Sequence, residues 1–291
     1  MPWKIEKAVR ENPALRESFM DLAIKTFHLD FHNWHQNGFW GDRYIPYVMT
    51  DGKTVAANVS VNVIDMLWDG TKRRYIQLGT VMTAPEYRGQ GFSRRLMETV
   101  LSDWRDCSDG IYLFANDSVL DFYPKFGFCP MGEYQVSVNV TPKKGNICRL
   151  DMSDPRDLRT LFSYYKKGNP HSRFAMVDNE GLLAFYCTGF LKENVYYLPE
   201  AGAVAVAEPN GDGFLCYDVF SDGQTELKGI LETLAGAVNP QASKAMLGFA
   251  PKGSVGESAP LKEEDTTLFL LEGFVPLYKE NRIMFPLLSR A

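Results

Sequence analysis

Arg88-Gly89-Gln90-Gly91-Phe92-Ser93 lies at the centre of the stretch from Tyr75 to Phe128 whose reading decides the fold. The run Ile76-Gln77-Leu78-Gly79-Thr80-Val81-Met82-Thr83 leads into it and predicts a mostly apolar strand. Phe92, Leu96, Val100 and Trp104 follow at intervals of four, with Met97 and Leu101 beside them, and predict an amphipathic helix. The first N–H groups of a helix have no intrahelical partner and point back into the turn that precedes it. The helix dipole adds partial positive charge there. Gly89 and Gly91 carry no Cβ, so the backbone of the turn can come close to a ligand. Strand, glycine turn and helix start together form an anion site suited to a pyrophosphate.

A glycine turn by itself can simply reverse the chain. Here it is followed, beyond the helix, by the short apolar strand Ile111-Tyr112-Leu113-Phe114-Ala115 and then Asn116. Seven residues later comes Tyr123, within Phe122-Tyr123-Pro124-Lys125-Phe126-Gly127-Phe128. The combination resembles the GNAT superfamily of acyl-CoA-dependent N-acetyltransferases. The family loop, Gln/Arg-x-x-Gly-x-Gly/Ala, is met by Arg88 and Gly91, with Ser93 in place of the usual Gly or Ala. Ser93 is still small, and its hydroxyl adds a donor. The later signature of Asn, Tyr and a Gly-Phe pair is met by Asn116, Tyr123, Gly127 and Phe128. The match covers about a fifth of the chain.

The resemblance implies acetyl-CoA as cosubstrate. Backbone groups of Val81, Met82 and Thr83 would meet the pantetheine arm, and amides from Arg88 through Gly89, Gln90, Gly91 and Phe92 to Ser93 would cradle the pyrophosphate. Arg88 would act largely through its backbone. Asn116 would hydrogen-bond the cofactor arm. Tyr123 would be the general acid to the departing thiolate, because a phenol of ordinary pKa, about 10, is protonated at neutral pH. Its alternative is a packed aromatic beside Phe122. Several family members carry a base, Glu, on the central strand, and that position is Gln77 here, an amide. Glu86, Asp117 and Asp121 lie near the motifs without a place facing the acceptor. Trp34, Phe39 and Trp40, in an aromatic-rich segment expected as loop, are the candidates for lining the acceptor site.

The 291 residues suggest two domains. With 45% hydrophobic and 23% charged residues, the composition is that of a globular protein with ample core. A net charge of −5 argues against a nucleic-acid partner. Five scattered cysteines lack metal-type spacing and fit a reducing compartment. No run of 18 apolar residues exists, so no membrane span is expected. Met1-Pro2-Trp3-Lys4-Ile5-Glu6 lacks the apolar core of a signal peptide, and a cytoplasmic location is expected. His28, His32 and His35 would share a face if helical, but no Cys or carboxylate pattern accompanies them, and no metal is expected.

In chain order, a helix is predicted over residues 12–28, and strands from Tyr44 to Thr50 and Lys53 to Met66 around the Asp51-Gly52 turn. In the second of these, Val59, Val61 and Val63 alternate with Ser60 and Asn62, which predicts one buried face and one polar face. Asp69-Gly70 turns the chain into the central strand. Helix, antiparallel strands and strand–helix–strand give a mixed α/β sheet. Thr141-Pro142-Lys143-Lys144-Gly145-Asn146 reads as a linker.

The second half repeats the order of elements. It has a helix over Pro155–Tyr165, a hairpin from Phe174–Val177 to Leu182–Cys187, a strand over Phe214–Phe220, a helix carrying Leu227, Ile230, Leu231 and Leu234, and a strand over Ala245–Phe249. Gly253 to Asp265 reads as an exposed loop, and Arg282 to Leu288 as a last strand. The expectation is two tandem GNAT-like domains, residues 1–143 and 144–291, each a mixed, mostly antiparallel sheet flanked by helices. The equivalent turn of the second copy, Ser221-Asp222-Gly223-Gln224, lacks the family pattern and places an acid where phosphate oxygens would lie. The expected activity is acetyl transfer from acetyl-CoA to the amine of a small molecule or peptide. The alternatives are a non-catalytic acyl-CoA sensor and a transferase of longer acyl groups.

Overall fold

A computed structural model describes residues 2–291. The first part of the chain forms β1 (Lys4–Glu6), α1 (Pro13–Phe27), α2 (His32–Gln36), β2 (Tyr44–Thr50), β3 (Val55–Trp68), β4 (Thr71–Thr83), α3 (Phe92–Trp104), β5 (Gly110–Ala115), β6 (Phe128–Met131) and β7 (Tyr134–Asn139). The remainder forms β8 (Cys148–Arg149), α4 (Pro155–Tyr165), β9 (Ser172–Val177), α5 (Glu180–Thr188), β10 (Val195–Leu198), β11 (Ala203–Asn210), β12 (Gly213–Ser221), α6 (Leu227–Val238), β13 (Lys244–Leu247), β14 (Ala250–Pro251), β15 (Glu257–Pro260), β16 (Thr267–Leu271) and α7 (Val275–Asn281). Local sequence explains several boundaries. The Asn12 side chain accepts from the N–H groups of Ala14 and Leu15, and Pro13 has no N–H to satisfy, so α1 starts there.

The strands make two mixed sheets. The first is ordered β1-β2-β3-β4-β5-β16-β6, with β9 pairing the far end of β3 and β14 pairing β9. The second is ordered β15-β7-β13-β12-β11-β10-β8. Each contains one parallel pair joined through a helix: β4-α3-β5 in the first and β12-α6-β13 in the second. The strand beyond each parallel pair comes from elsewhere. β16 enters between β5 and β6, and β7 enters between β13 and β15. The two sheets therefore exchange strands across residues 143 and 144.

One face of the first sheet is covered by α3, whose Phe92, Leu96, Met97, Val100 and Leu101 pack on Val59, Val61, Val63, Ile76, Leu78, Ile111 and Leu113. The other face meets the second half through a core that includes Ile64, Met66, Tyr75, Tyr112, Phe174, Leu183, Val204, Phe220 and Phe285. Fully burying each such side chain stabilises by roughly 1.5–3 kcal/mol. The polar face expected on β3 at Ser60 and Asn62 is buried as well, and so is Asn58.

Four local expectations change. Leu182–Cys187 is helical, within α5, because Asn179 caps the Leu182 N–H, and a short apolar run has no period that separates helix from strand. The Gly253–Asp265 loop contains the exposed strand β15, which covers the edge of β7. Arg282–Leu288 forms no strand; it runs irregularly into a turn at Leu287–Ser289. The aromatic segment includes α2, but His28 lies outside it, at a left-handed residue ending α1, so the three histidines do not share one helical face.

Candidate functional site

The site follows from a parting of strands. β4 and β5 pair in parallel from Tyr75 and Gly110 to Leu78 and Leu113. Beyond Leu78, β4 stays with β3, while Phe114 and Ala115 of β5 pair with Leu268 and Thr267 of β16. The β3–β4 register shifts between Asn58 and Ser60, opposite Thr80, whose φ is 45°. The sheet opens there into a cavity of about 800 Å³. One wall is β4 from Gln77 to Thr83, and another is the turn and helix start. Phe114, Asn116, Phe122 and Tyr123 stand opposite.

The turn has the conformation its glycines predict. Gly89 and Gly91 have φ of 75° and 76°, and a Cβ built on either meets no atom within 4 Å. Backbone conformation demands glycine here, and the space in front of the turn is open. Gly91 is the N-cap of α3 and supplies no side chain, so no side-chain bond caps the first N–H groups of the helix. Phe92, Ser93 and Arg94 line the cavity with them. Ser93 Oγ and Thr83 Oγ1 are 2.6 Å apart, which ties the helix start to the end of β4. Arg88 Nε donates back to Thr83 O at 3.3 Å, so this side chain braces the turn.

The structure thus brings together Val81, Met82, Thr83, Arg88, Gly89, Gly91, Phe92, Ser93, Asn116 and Tyr123 as lining residues. Gln90 is exposed and is not among the lining residues. Asn116 Nδ2 is already committed to Asp265, to its main-chain oxygen at 3.2 Å and its Oδ2 at 2.9 Å. Tyr123 is buried against Phe122, Phe128 and Phe269, and burial pushes its hydroxyl up to about 12. The phenol keeps its proton through the physiological range.

Sequence reasoning missed the far end of the chain. Ala291 lies in the cavity wall. Gln77 Nε2 donates to Ala291 O at 2.8 Å, and the Ala291 N–H donates to Gln77 Oε1 at 2.7 Å. A Cβ on Gly79 would come within 2.6 Å of Ala291 O, so glycine is what lets the tail lie on the strand. The segment before it is strongly held. Phe285 stacks on Tyr112 at 3.8 Å, and its N–H donates to Glu133 Oε1 at 2.9 Å. Arg290 reaches Glu133 Oε2 at 2.8 Å and Glu263 Oε2 at 2.5 Å, and Tyr186 donates to Arg290 O. Burial pushes the Glu133 carboxyl up against the opposing pull of Arg290. The one sequence signal for this was an amide, Gln77, inside a mostly apolar strand.

A second cavity, of about 410 Å³, has Trp34, Phe39, Tyr44, Asn62, Phe162, Asp178 and Glu180 among its lining residues. Asn62 connects it to the first site: its Nδ2 lies 3.5 Å from Gln77 O and would lie 3.3 Å from a Cβ on Gly79. Trp34 and Phe39 therefore face a common space. Trp40 instead packs in the core, with Nε1 donating to Tyr44 O at 3.0 Å. His32 sits between Asp30 at 2.6 Å and Glu17 at 3.2 Å, and these hydrogen bonds raise its pKa. Glu86 and Asp121 are exposed, and neither lines the cavity.

Comparison with known proteins agrees with this geometry. The acetyltransferase (GNAT) domain family matches residues 14–131. No curated protein matches the chain. Among solved structures, it resembles a probable N-acyltransferase from Enterococcus faecalis, with a TM-score of 0.63 at 16% identity, over 92% of this chain and 72% of that one. It also resembles a GCN5-related N-acetyltransferase from Kribbella flavida, with a TM-score of 0.57 at 16% identity, over 94% and 72%. A third, from Anabaena variabilis, has a TM-score of 0.53 at 13% identity, over 92% and 72%. Likeness at these identities is a likeness of fold. Residues 14–131, which hold the splayed sheet and its glycine turn, are thus similar in sequence to the GNAT acetyltransferase domain, and the chain is similar in fold to these structures.

Proposed function

We propose that the protein is an N-acetyltransferase that moves an acetyl group from acetyl-CoA to the amine of a small molecule or peptide. The observation that carries this reading is the uncapped N-terminus of α3 at the mouth of the β4–β5 opening, with Tyr123 across the same cavity. Amides between Arg88 and Ser93 would hold the pyrophosphate. The pantetheine arm would run along Val81, Met82 and Thr83 into the wedge, which β4 leaves unpaired on that side. The amine nitrogen attacks the thioester carbonyl, the C–S bond breaks, Tyr123 gives its proton to the thiolate, and the proton lost by the nitrogen leaves to solvent water, from which the Tyr123 phenolate is reprotonated. Among the described residues, no Asp, Glu or His lines this cavity. The acceptor N–H therefore finds its partner in the Ala291 oxygen that Gln77 holds.

The second cavity is the proposed entry for the acceptor, with Trp34 and Phe39 as its apolar walls. Two units are proposed: residues 1–143, which carry the cofactor turn, and residues 144–291, which lack it and cover the acceptor side. The acid at Asp222 supports the view that the second turn does not hold a pyrophosphate. No metal takes part in this scheme, and no nucleic-acid partner is proposed. Among the described residues no helix is long and apolar enough to cross a membrane. The test is thiol release from acetyl-CoA on a broad panel of amines. Turnover on any amine supports the enzyme, whereas tight cofactor binding with no release on the whole panel favours a sensor.

A further inference from the structure

Thr80 is a β-branched residue at φ 45°, a conformation that costs such a residue of order 1–3 kcal/mol. Two side chains hold it. Asn58 Nδ2 donates to Thr80 O at 2.8 Å, and the Tyr44 hydroxyl lies 2.8 Å from Thr80 Oγ1. These contacts belong to one directed chain. A carbonyl oxygen can only accept, so Thr80 O fixes the Asn58 amide with its nitrogen inward. The second Asn58 N–H goes to Ser60 Oγ at 2.9 Å. Ser60 then donates its own proton to the Tyr44 hydroxyl at 2.9 Å. The Tyr44 proton is left for Thr80 Oγ1, and burial, which pushes Tyr44 up to about 12, keeps that proton in place. The Thr80 hydroxyl therefore already accepts, and its own proton has no part in the chain. Thr80 lines the cavity at the point where β4 leaves β5.

We infer that the Thr80 hydroxyl is a hydrogen-bond donor to the thioester carbonyl oxygen of bound acyl-CoA, with Asn58, Ser60 and Tyr44 as positioning residues that turn its proton into the cavity. The inference rests on the acyltransferase reading above. As the amine adds, the carbonyl oxygen gains negative charge, and a donor already oriented there stabilises the transition state more than the ground state. Each hydroxyl in the chain both accepts and donates, which polarises the last one further. The chain also leaves Asn58 Oδ1 buried without a partner, consistent with an amide whose orientation is set by its two donated bonds.

The test combines kinetics with the infrared carbonyl stretch of isotope-labelled acetonyl-coenzyme A, an unreactive ketone analogue. Thr80→Val removes the hydroxyl and keeps the branch. We expect kcat to fall about 10²-fold with KM for acetyl-CoA within about threefold. The stretch should shift to higher frequency than in the wild type. Thr80→Ser should retain most activity. Tyr44→Phe should give an intermediate loss and an intermediate frequency, and it reports on the chain even if the valine variant does not fold. Turnover within twofold of wild type for both Thr80→Val and Tyr44→Phe, with unmoved carbonyl frequencies, would overturn the inference while leaving the acyltransferase reading intact. If the wild-type protein binds no coenzyme A, both fail together.

Discussion

Gln77 and Ala291 hold each other through both groups, amide to carbonyl at 2.8 Å and N–H to amide oxygen at 2.7 Å, although 214 positions separate them in sequence. A side-chain amide carries both a donor and an acceptor and so answers the main-chain pair in both directions. A carboxylate at position 77 would accept from the Ala291 N–H and face its oxygen with like charge. The amide at position 77 is thus suited to fixing the tail. Gln77→Leu should remove both hydrogen bonds to Ala291, destabilise the fold by about 1–3 kcal/mol, and lower kcat at least tenfold. Coenzyme A affinity, set at the other end of the cavity, should stay within about twofold. Steady-state rates and calorimetry on the same preparation check the pair of expectations.

Tyr123→Phe removes the proposed proton donor and retains the ring that packs against Phe122, Phe128 and Phe269. Turnover should fall about 10²-fold or more, with little change in melting temperature or cofactor affinity. A phenylalanine variant that turns over normally takes Tyr123 out of the chemistry.

Gly91→Ala places a Cβ on a residue at φ 76°. The conformational cost is about 1–2 kcal/mol, and relaxing it moves the first N–H groups of α3 away from the turn. Coenzyme A affinity should weaken about tenfold, and the corresponding Gly211→Ala variant, at φ 57° on a remote turn, should leave it unchanged. Titration of both variants makes the comparison.

The acceptor should control the pH profile. With no Asp, Glu or His lining the cavity among the described residues, and Tyr123 protonated to about 12, kcat/KM should rise with pH until the amine's own pKa is reached. A series of amines of graded basicity should move that inflection in step. A fixed inflection near neutrality for every amine would reveal an enzyme base outside the scheme.

Asp218 offers an independent check on the second half. It is fully buried beside Asn169, and burial raises its carboxyl to about 6. In the unfolded chain the same group ionises near the ordinary carboxylate value, about 4. Between these values the folded form carries a proton that the unfolded form has lost, so stability falls as pH rises through the window. Asp218→Asn keeps an acceptor for Asn169 and removes the titration. It should stabilise the protein by about 2–3 kcal/mol at pH 8 and by little at pH 4, measured from urea midpoints.

The parts legible in sequence were those fixed by local chemistry. The turn from Arg88 to Ser93, the face of α3 and the alternation in β3 each follow from neighbours in the chain. The parts that were not legible depend on distant partners. Nothing in Thr267–Leu271 says that it enters between β5 and β6, because an apolar strand pairs wherever tertiary packing puts it. Ser60 and Asn62 read as a polar face, but both are buried, with partners on other strands: Tyr44 for Ser60 and Gln77 O for Asn62. The tail itself has no period or motif. Its place is set by Tyr112, Glu133, Tyr186 and Gln77 acting together.

The account depends on the amides at the start of α3 gripping a diphosphate. Calorimetric titration of the folded protein with coenzyme A tests this directly. We expect one saturable site whose affinity falls when Gly91 is replaced by alanine. No heat of binding at millimolar coenzyme A, from protein with a normal melting transition, would contradict it.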